Sequence, residues 1–378
     1  MTEPSKHPQV YTEKILLEFI EFRHPHYDAP SNILIQFPRT EVVDHQRGVH
    51  YGTALVACQI IANNAFSTGS LALDPNGEEL VVLDFDDVLT NSYYYFIVAG
   101  SYNRDNPYPI VPSFQDWEFP HNQIPDAWPP STVFPSSACG VTGYPFPVES
   151  AHLVPQKQSM WFERNGMRRY ADNRLMGGNV DNQANIIPLR SDIHVIFDDR
   201  SMAIIPRRSS YTTSVISDRA DHYYPHHHNV IVHGLHRNAR AYLFARFAWT
   251  VLFSMKAFVC QGFDRRIVQI STSDSRSANT YGTVWVQASE LYAKYSGGGT
   301  QESGPASKST AKRQKPGDAM DDDDYSVTEE EIINAVYTWK SEAQTRTEQA
   351  NTEVLGENEG GNEAKPTESR AQSGGGHE

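Results

Sequence analysis

Apolar positions along the chain fall into short runs of two kinds. ILIQF (33–37), LVVLDF (80–85) and YYYFIVAG (93–100) are rich in branched and aromatic residues, and each predicts a strand. TALVACQIIANNAF (53–66) keeps its apolar residues at helical spacing and predicts a buried helix. Residues 106–136 are studded with proline, which removes backbone donors and fixes φ, so an ordered strap anchored by its aromatic residues is expected there. Beyond it, a short strand ends in His152 and is stopped by Pro155. A second strand, IIPL (186–189), follows Asn185, and a short helix then carries His194 and Asp198, four residues apart and therefore on one face. MAIIP (202–206) predicts another strand. Residues 238–260 predict a strongly apolar helix interrupted by Arg240 and Arg246. From about residue 296 the chain turns small, polar and charged, a composition that does not repay the entropy of ordering, with one short helix expected over 329–344. No internal repeat is visible.

Composition narrows the class. The chain has 378 residues, 39% of them hydrophobic, with 17 Phe, 19 Tyr and 6 Trp, which suits a globular body. The N-terminus lacks a basic leader followed by an apolar run, and no stretch reaches the roughly 18 apolar residues that span a bilayer. A secreted or membrane protein is not expected. Cys58, Cys139 and Cys260 are far apart and odd in number, so neither a disulfide framework nor a Cys-x-x-Cys zinc site is implied. The expected compartment is reducing, cytoplasmic or nuclear.

The net charge of −14 argues at first against a nucleic-acid partner. It is unevenly spread, however. Residues 301–378 hold 17 acidic and 8 basic residues, whereas 151–210 hold 6 acidic and 9 basic. Local charge governs phosphate contact, so the candidate segment is mildly basic and salt-sensitive binding is expected. AKRQKP (311–316) looks like a nuclear-import cluster, with a solvated charge run the favoured reading.

Between 139 and 206 the sequence resembles the HNH endonuclease family. The resemblance rests on Cys139-x-x-Thr142-Gly143, on Ala151-His152-Leu153-x-Pro155, and on Asn185 followed by Leu189-Arg190-x-Asp192-Ile193-His194-x-x-Phe197-Asp198. The Tyr108–Trp117 strap, the Trp161-Phe162 insertion and Arg246-Phe247-Ala248-Trp249 look like a fungal branch of that family. The resemblance implies an α+β fold: a ββα-metal (HNH) nuclease core over 139–207, an N-terminal mixed α/β domain over 1–110, and the strap over 111–138. A histidine-rich loop and apolar helix over 208–270 pack on that body, and the acidic tail over 296–378, expected from its composition to be disordered, lies outside the resemblance.

The implied activity is metal-dependent hydrolysis of DNA phosphodiester bonds, with RNA as the alternative substrate. His152 takes the general-base role and Asn185 orients its ring. His194 and Asp198 hold a divalent metal ion, with Mg, Mn, Zn or Ni not distinguished by ligand type. Arg190, Arg168 and Arg169 are the expected phosphate contacts. Many members place a second metal ligand just before the base, where this chain has Ala151; Glu149 is the candidate substitute. The competing expectation is a catalytically weak or inactive HNH-fold module that binds nucleic acid or protein. No membrane partner is expected, and nothing in the sequence specifies an oligomeric state.

Two other patterns invite chemistry. His222, His226, His227, His228, His233 and His236 cluster, but no carboxylate or cysteine stands at zinc-motif spacing, so an exposed polar loop is the favoured reading. VVLDFDDVLTNS (81–92) looks like the nucleophile motif of haloacid-dehalogenase-type phosphatases, with Asp84 and Asp86. The Pro-rich strap leaves little room for the doubly wound domain that chemistry needs, so a strand and acidic turn are favoured.

Overall fold

The computed structural model describes residues 17–131, 136–171, 179–217, 219, 223–271 and 280–297. Its mixed helix and strand content is that of an α+β protein. The chain opens with β1 (Phe19–Arg23), β2 (Ile33–Pro38), β3 (Glu41–Val43), β4 (Gln46–His50), α1 (Tyr51–Ile61), β5 (Gly69–Ala72), β6 (Val88–Leu89) and β7 (Tyr93–Val98). One sheet has the order β2-β1-β7-β5, with β1 and β7 parallel; a second has the order β3-β4-β6.

The strand expected over 80–85 does not form. Val82 is 89% exposed, and the stretch runs as an irregular segment closed by an acidic turn, Asp84 N to Asp87 Oδ2 at 2.8 Å. Its carbonyls have another partner. Phe85 O and Asp87 O accept the N–H groups of Gly52 and Tyr51, which begin α1 and have no acceptor inside the helix. Gly52 permits this approach, since a Cβ there would lie 2.5 Å from the Phe85 ring.

The Pro-rich strap is ordered over its described part by buried rings. Trp117 and Trp161 stack at 5.6 Å between centroids, and Trp161 Nε1 donates to Trp117 O. Tyr108, Phe119 and Trp128 are also buried. The composition shift near residue 110 is not a packing boundary. Val111 N donates to Ile61 O at the end of α1, and one hydrophobic core runs from Ile20 to Tyr295.

The remaining elements are β8 (Val148–His152), α2 (Ser159–Arg164), β9 (Ile186–Arg190), α3 (Ser191–Asp198), β10 (Met202–Arg207) and β11 (Ser210–Val215). They are followed by α4 (Tyr224–His227), α5 (Arg240–Ser254), α6 (Lys256–Cys260), β12 (Arg265–Ser271), β13 (Thr280–Val286) and α7 (Ala288–Tyr295). The expected single helix over 238–260 is thus divided at Met255. Contrary to the expectation that no stretch is apolar enough, Arg240–Cys260 could cross a membrane by length and composition. In this fold 72% of its apolar window is buried, so that apolarity is used for core packing. The expected tail disorder, the helix over 329–344 and the basic cluster at 311–316 lie outside the described residues.

Candidate active site

The candidate site is built on an antiparallel hairpin followed at once by a helix. β8 pairs with β9 in the register His152↔Ile186, Glu149↔Leu189 and Val148↔Arg190, and α3 starts at the next residue, Ser191. The Cys139–Gly143 turn seats the hairpin. Gly143 N donates to Cys139 O, Thr142 N to the Cys139 Sγ, and Gly140 N to Pro188 O on β9. Cys139 is buried and free, as expected of a structural thiol. Side chains alternate along a strand, so Glu149 and Ala151 share one face of β8 while His152 is turned to the other.

On α3, His194 is held between two carboxylates. Its Nδ1 meets Glu149 Oε2 at 2.8 Å and its Nε2 meets Asp198 Oδ2 at 3.2 Å. Glu149 is also bonded by Ser191 Oγ at 2.6 Å. The hydrogen bond to Asp198, reinforced by Glu149, raises the His194 pKa. Burial is the largest influence on Asp198 and opposes its ionisation. The His194 hydrogen bond and the Arg246 charge together outweigh it and bring the carboxyl down to about 2. Among the described residues no three His, Cys, Asp or Glu groups converge as a ready metal cage. Glu149 and Asp198 occupy opposite nitrogens of one ring, which explains why three adjacent donor groups do not surround one point.

His152 and Asn185 are not partners. The His152 Nε2 is 3.0 Å from Asp181 Oδ1, and that carboxylate also accepts from Gln156 Nε2 at 2.6 Å. The Gln156 hydrogen bond, then that of His152, lowers the Asp181 pKa. Asn185 is fully buried and bonds backbone only. Its Oδ1 accepts from Val154 N at 2.8 Å, and its Nδ2 donates to Val154 O at 2.9 Å and Val180 O at 2.7 Å. With Leu153 N donating to its main-chain carbonyl, it extends the β8–β9 pairing past His152. The ring-orienting role expected for Asn185 is therefore corrected: it pins the chain that carries His152, and Asp181 holds the ring. A buried amide suits the task, because it donates and accepts at once.

Arg246 completes the arrangement. It is 1% exposed on α5, and its guanidinium donates to Phe197 O and, at 3.3 Å each, to His152 O and Asp198 Oδ1. Its face lies 3.6 Å from the Phe197 ring. One buried cation thus ties the end of β8 to the end of α3. Burial lowers its pKa to about 10, which leaves it charged at neutral pH. In the sequence its signal was a charge inside an otherwise apolar helix; Asp181 had none.

The expected phosphate contacts are dispersed or engaged. Arg190 makes two 2.6 Å bonds to Asp192, so a phosphate would compete with that carboxylate. Arg168 and Arg169 are exposed on the turn Met167–Tyr170, and the Arg169 charge acts on His121 and Tyr170. The histidine cluster is divided as well. The His228 side chain is 7% exposed and meets Glu41 Oε1 at 2.8 Å while accepting from Val215 N, so it is no exposed loop side chain. His222 lies outside the described residues. Asp86 accepts from the Arg208 main-chain N–H and meets the buried His50 at 3.3 Å, a structural use in place of a phosphatase one.

A β-hairpin and helix presenting a carboxylate-flanked histidine, with a second histidine at the strand end, define a site suited to phosphodiester chemistry. Residues 139–205 match the family model of the HNH endonucleases, and over this stretch the chain is similar to that family. No curated protein and no solved structure matches the chain. The family match points to nuclease activity in general.

Proposed function

We propose that this site is a ββα-metal core that hydrolyses DNA phosphodiester bonds with a divalent cation, RNA being the alternative substrate. The observation that carries the reading is the His194–Asp198 pair, braced by Glu149, on the helix of a hairpin whose strand ends in His152. His152 is the general base. Because Asp181 accepts from Nε2, that nitrogen carries the proton and Nδ1 keeps its lone pair for a water. Asp181 also steadies the imidazolium that forms. Asn185, through Leu153 and Val154, and Arg246, through the His152 carbonyl, fix the strand end.

The donor set fits a divalent cation. An imidazole nitrogen and a carboxylate are already paired at 3.2 Å, and both side chains reach solvent. Glu149, on the face of β8 that Ala151 leaves without a ligand, holds Nδ1–H and so directs the other nitrogen outward, as carboxylates do behind metal-binding histidines. Bound there, the cation would polarise the scissile phosphate and stabilise charge on the leaving oxygen. Proton and cation compete for His194, so its raised pKa makes cation affinity increase with pH.

The test incubates purified protein with supercoiled plasmid and Mg²⁺ or Mn²⁺, beside His152→Ala. Wild type is expected to nick the plasmid and the variant to leave it intact; equal behaviour of the two across several metals sinks the reading. The alternative, a binding module without catalysis, draws on Ala151 and on a His194 ring whose two nitrogens are both already engaged. A calorimetric titration showing no divalent cation bound would favour it.

A further inference from the structure

Four arginines on or near α3 differ in what they face. Arg190 is clamped by Asp192, Arg246 by Asp198 and backbone carbonyls, and Arg219 meets Asp199 at 3.2 Å. Arg200 has no such partner. Its guanidinium lies 3.5 Å from the Phe253 ring and 4.7 Å from the Trp249 ring on α5. Among the described residues no carboxylate stands within ion-pair distance of it, and its side chain makes no hydrogen bond; the Nε is buried and unpartnered. A flat cation is thus held by two aromatic faces, two residues beyond Asp198; the Asp199 and Asp198 charges act on it, but neither carboxylate is in ion-pair contact with it.

The backbone gives a second, independent sign. Arg200 N donates to Phe197 O and Ser201 N to Ile196 O, and Arg200 has φ 66°. This is the closing turn of a helix whose left-handed position is normally glycine, because a Cβ is crowded there. A long charged side chain in that position is an outlier, and such outliers gather at functional sites.

We propose that Arg200 is a phosphate contact of this site, gripping a non-bridging oxygen of the nucleic-acid backbone beside the His194–Asp198 pair. The proposal rests on the nuclease reading and gives Arg200 the role expected of Arg190, Arg168 and Arg169. The guanidinium fork matches phosphate geometry, and stacking on Phe253 and Trp249 fixes its plane before the ligand arrives. The bland alternative is that Arg200 only neutralises the carbonyl end of α3. That role would not alter how nucleic acid binding responds to salt.

The test measures fluorescence anisotropy of a labelled DNA duplex with full-length protein in EDTA, across a KCl series. Arg200→Gly relieves the left-handed strain, so it is expected to fold, with a melting temperature no lower than wild type. It should bind roughly five- to tenfold more weakly at 0.1 M salt, with the slope of log K against log salt reduced by about one. Arg200→Lys should keep the slope and lose part of the affinity. A folded Arg200→Gly with wild-type affinity and slope overturns the proposal and leaves the nuclease reading intact. Binding that depends on Arg200 while wild type and His152→Ala leave the plasmid equally intact supports the contact and removes the nuclease reading. Wild-type protein that binds no duplex even at low salt overturns both.

Discussion

Asn185→Ala separates two roles that the same residue type can play. If Asn185 pins backbone, the substitution removes three buried hydrogen bonds, to Val154 N, Val154 O and Val180 O. Val154 is fully buried, so water cannot replace its partners without a cavity large enough to admit it. Each unsatisfied buried group costs about 1–3 kcal/mol, with carbonyls at the lower end because each has a second lone pair. The expected loss is about 3–5 kcal/mol, a large share of the roughly 5–15 kcal/mol that holds a typical domain together. Asn185→Asp should not rescue it: a carboxylate still accepts from Val154 N but turns its second oxygen toward two carbonyls. Urea unfolding followed by tryptophan fluorescence gives the answer, since Trp117, Trp128 and Trp161 are all buried in the core that unfolds. Both variants should lower the midpoint by a similar amount. An unfolding free energy within about 0.5 kcal/mol of wild type, together with lost cleavage, would refute the reasoning and return Asn185 to the His152 ring.

Two further outcomes follow from the buried ion pairs. Arg246→Met takes the guanidinium from Asp198, which keeps the His194 contact, and from the Phe197 carbonyl. Because Asp198 is half-exposed, the cost falls toward the lower part of the usual range for a broken buried pair, about 3 kcal/mol, read as a lowered thermal midpoint; an unchanged midpoint would deny the clamp. Glu41 has its carboxyl lowered from 4.5 to about 2: burial opposes ionisation most, but hydrogen bonds from His228 and Arg207 outweigh it. A depressed carboxyl stabilises the fold above its unfolded pKa and loses that contribution as pH falls through its folded one. About 3 kcal/mol should therefore disappear between pH 4.5 and 2. Glu41→Gln should flatten this part of the urea midpoint-versus-pH curve, and a variant with the wild-type acid profile would show that the Glu41 pair is not its source.

Sequence alone determined what depends on near neighbours. The strand ending in His152, the strand before α3, and His194 and Asp198 on one helix face were all legible, because spacing and local propensity dictate them. So were the buried aromatic rings of the strap. Tertiary structure decided the partners. Asp181 on His152, Val154 and Val180 on Asn185, Arg246 across two chain ends, and Glu41 on His228 join residues 29 or more positions apart, save the Val180 contact. A hydrogen-bonding side chain advertises its capacity in the sequence but not its acceptor, since that depends on which segment the hydrophobic core carries to it. The same reason explains LVVLDF (80–85): its residues favour a strand, but the start of α1 reached its carbonyls, and no strand formed there.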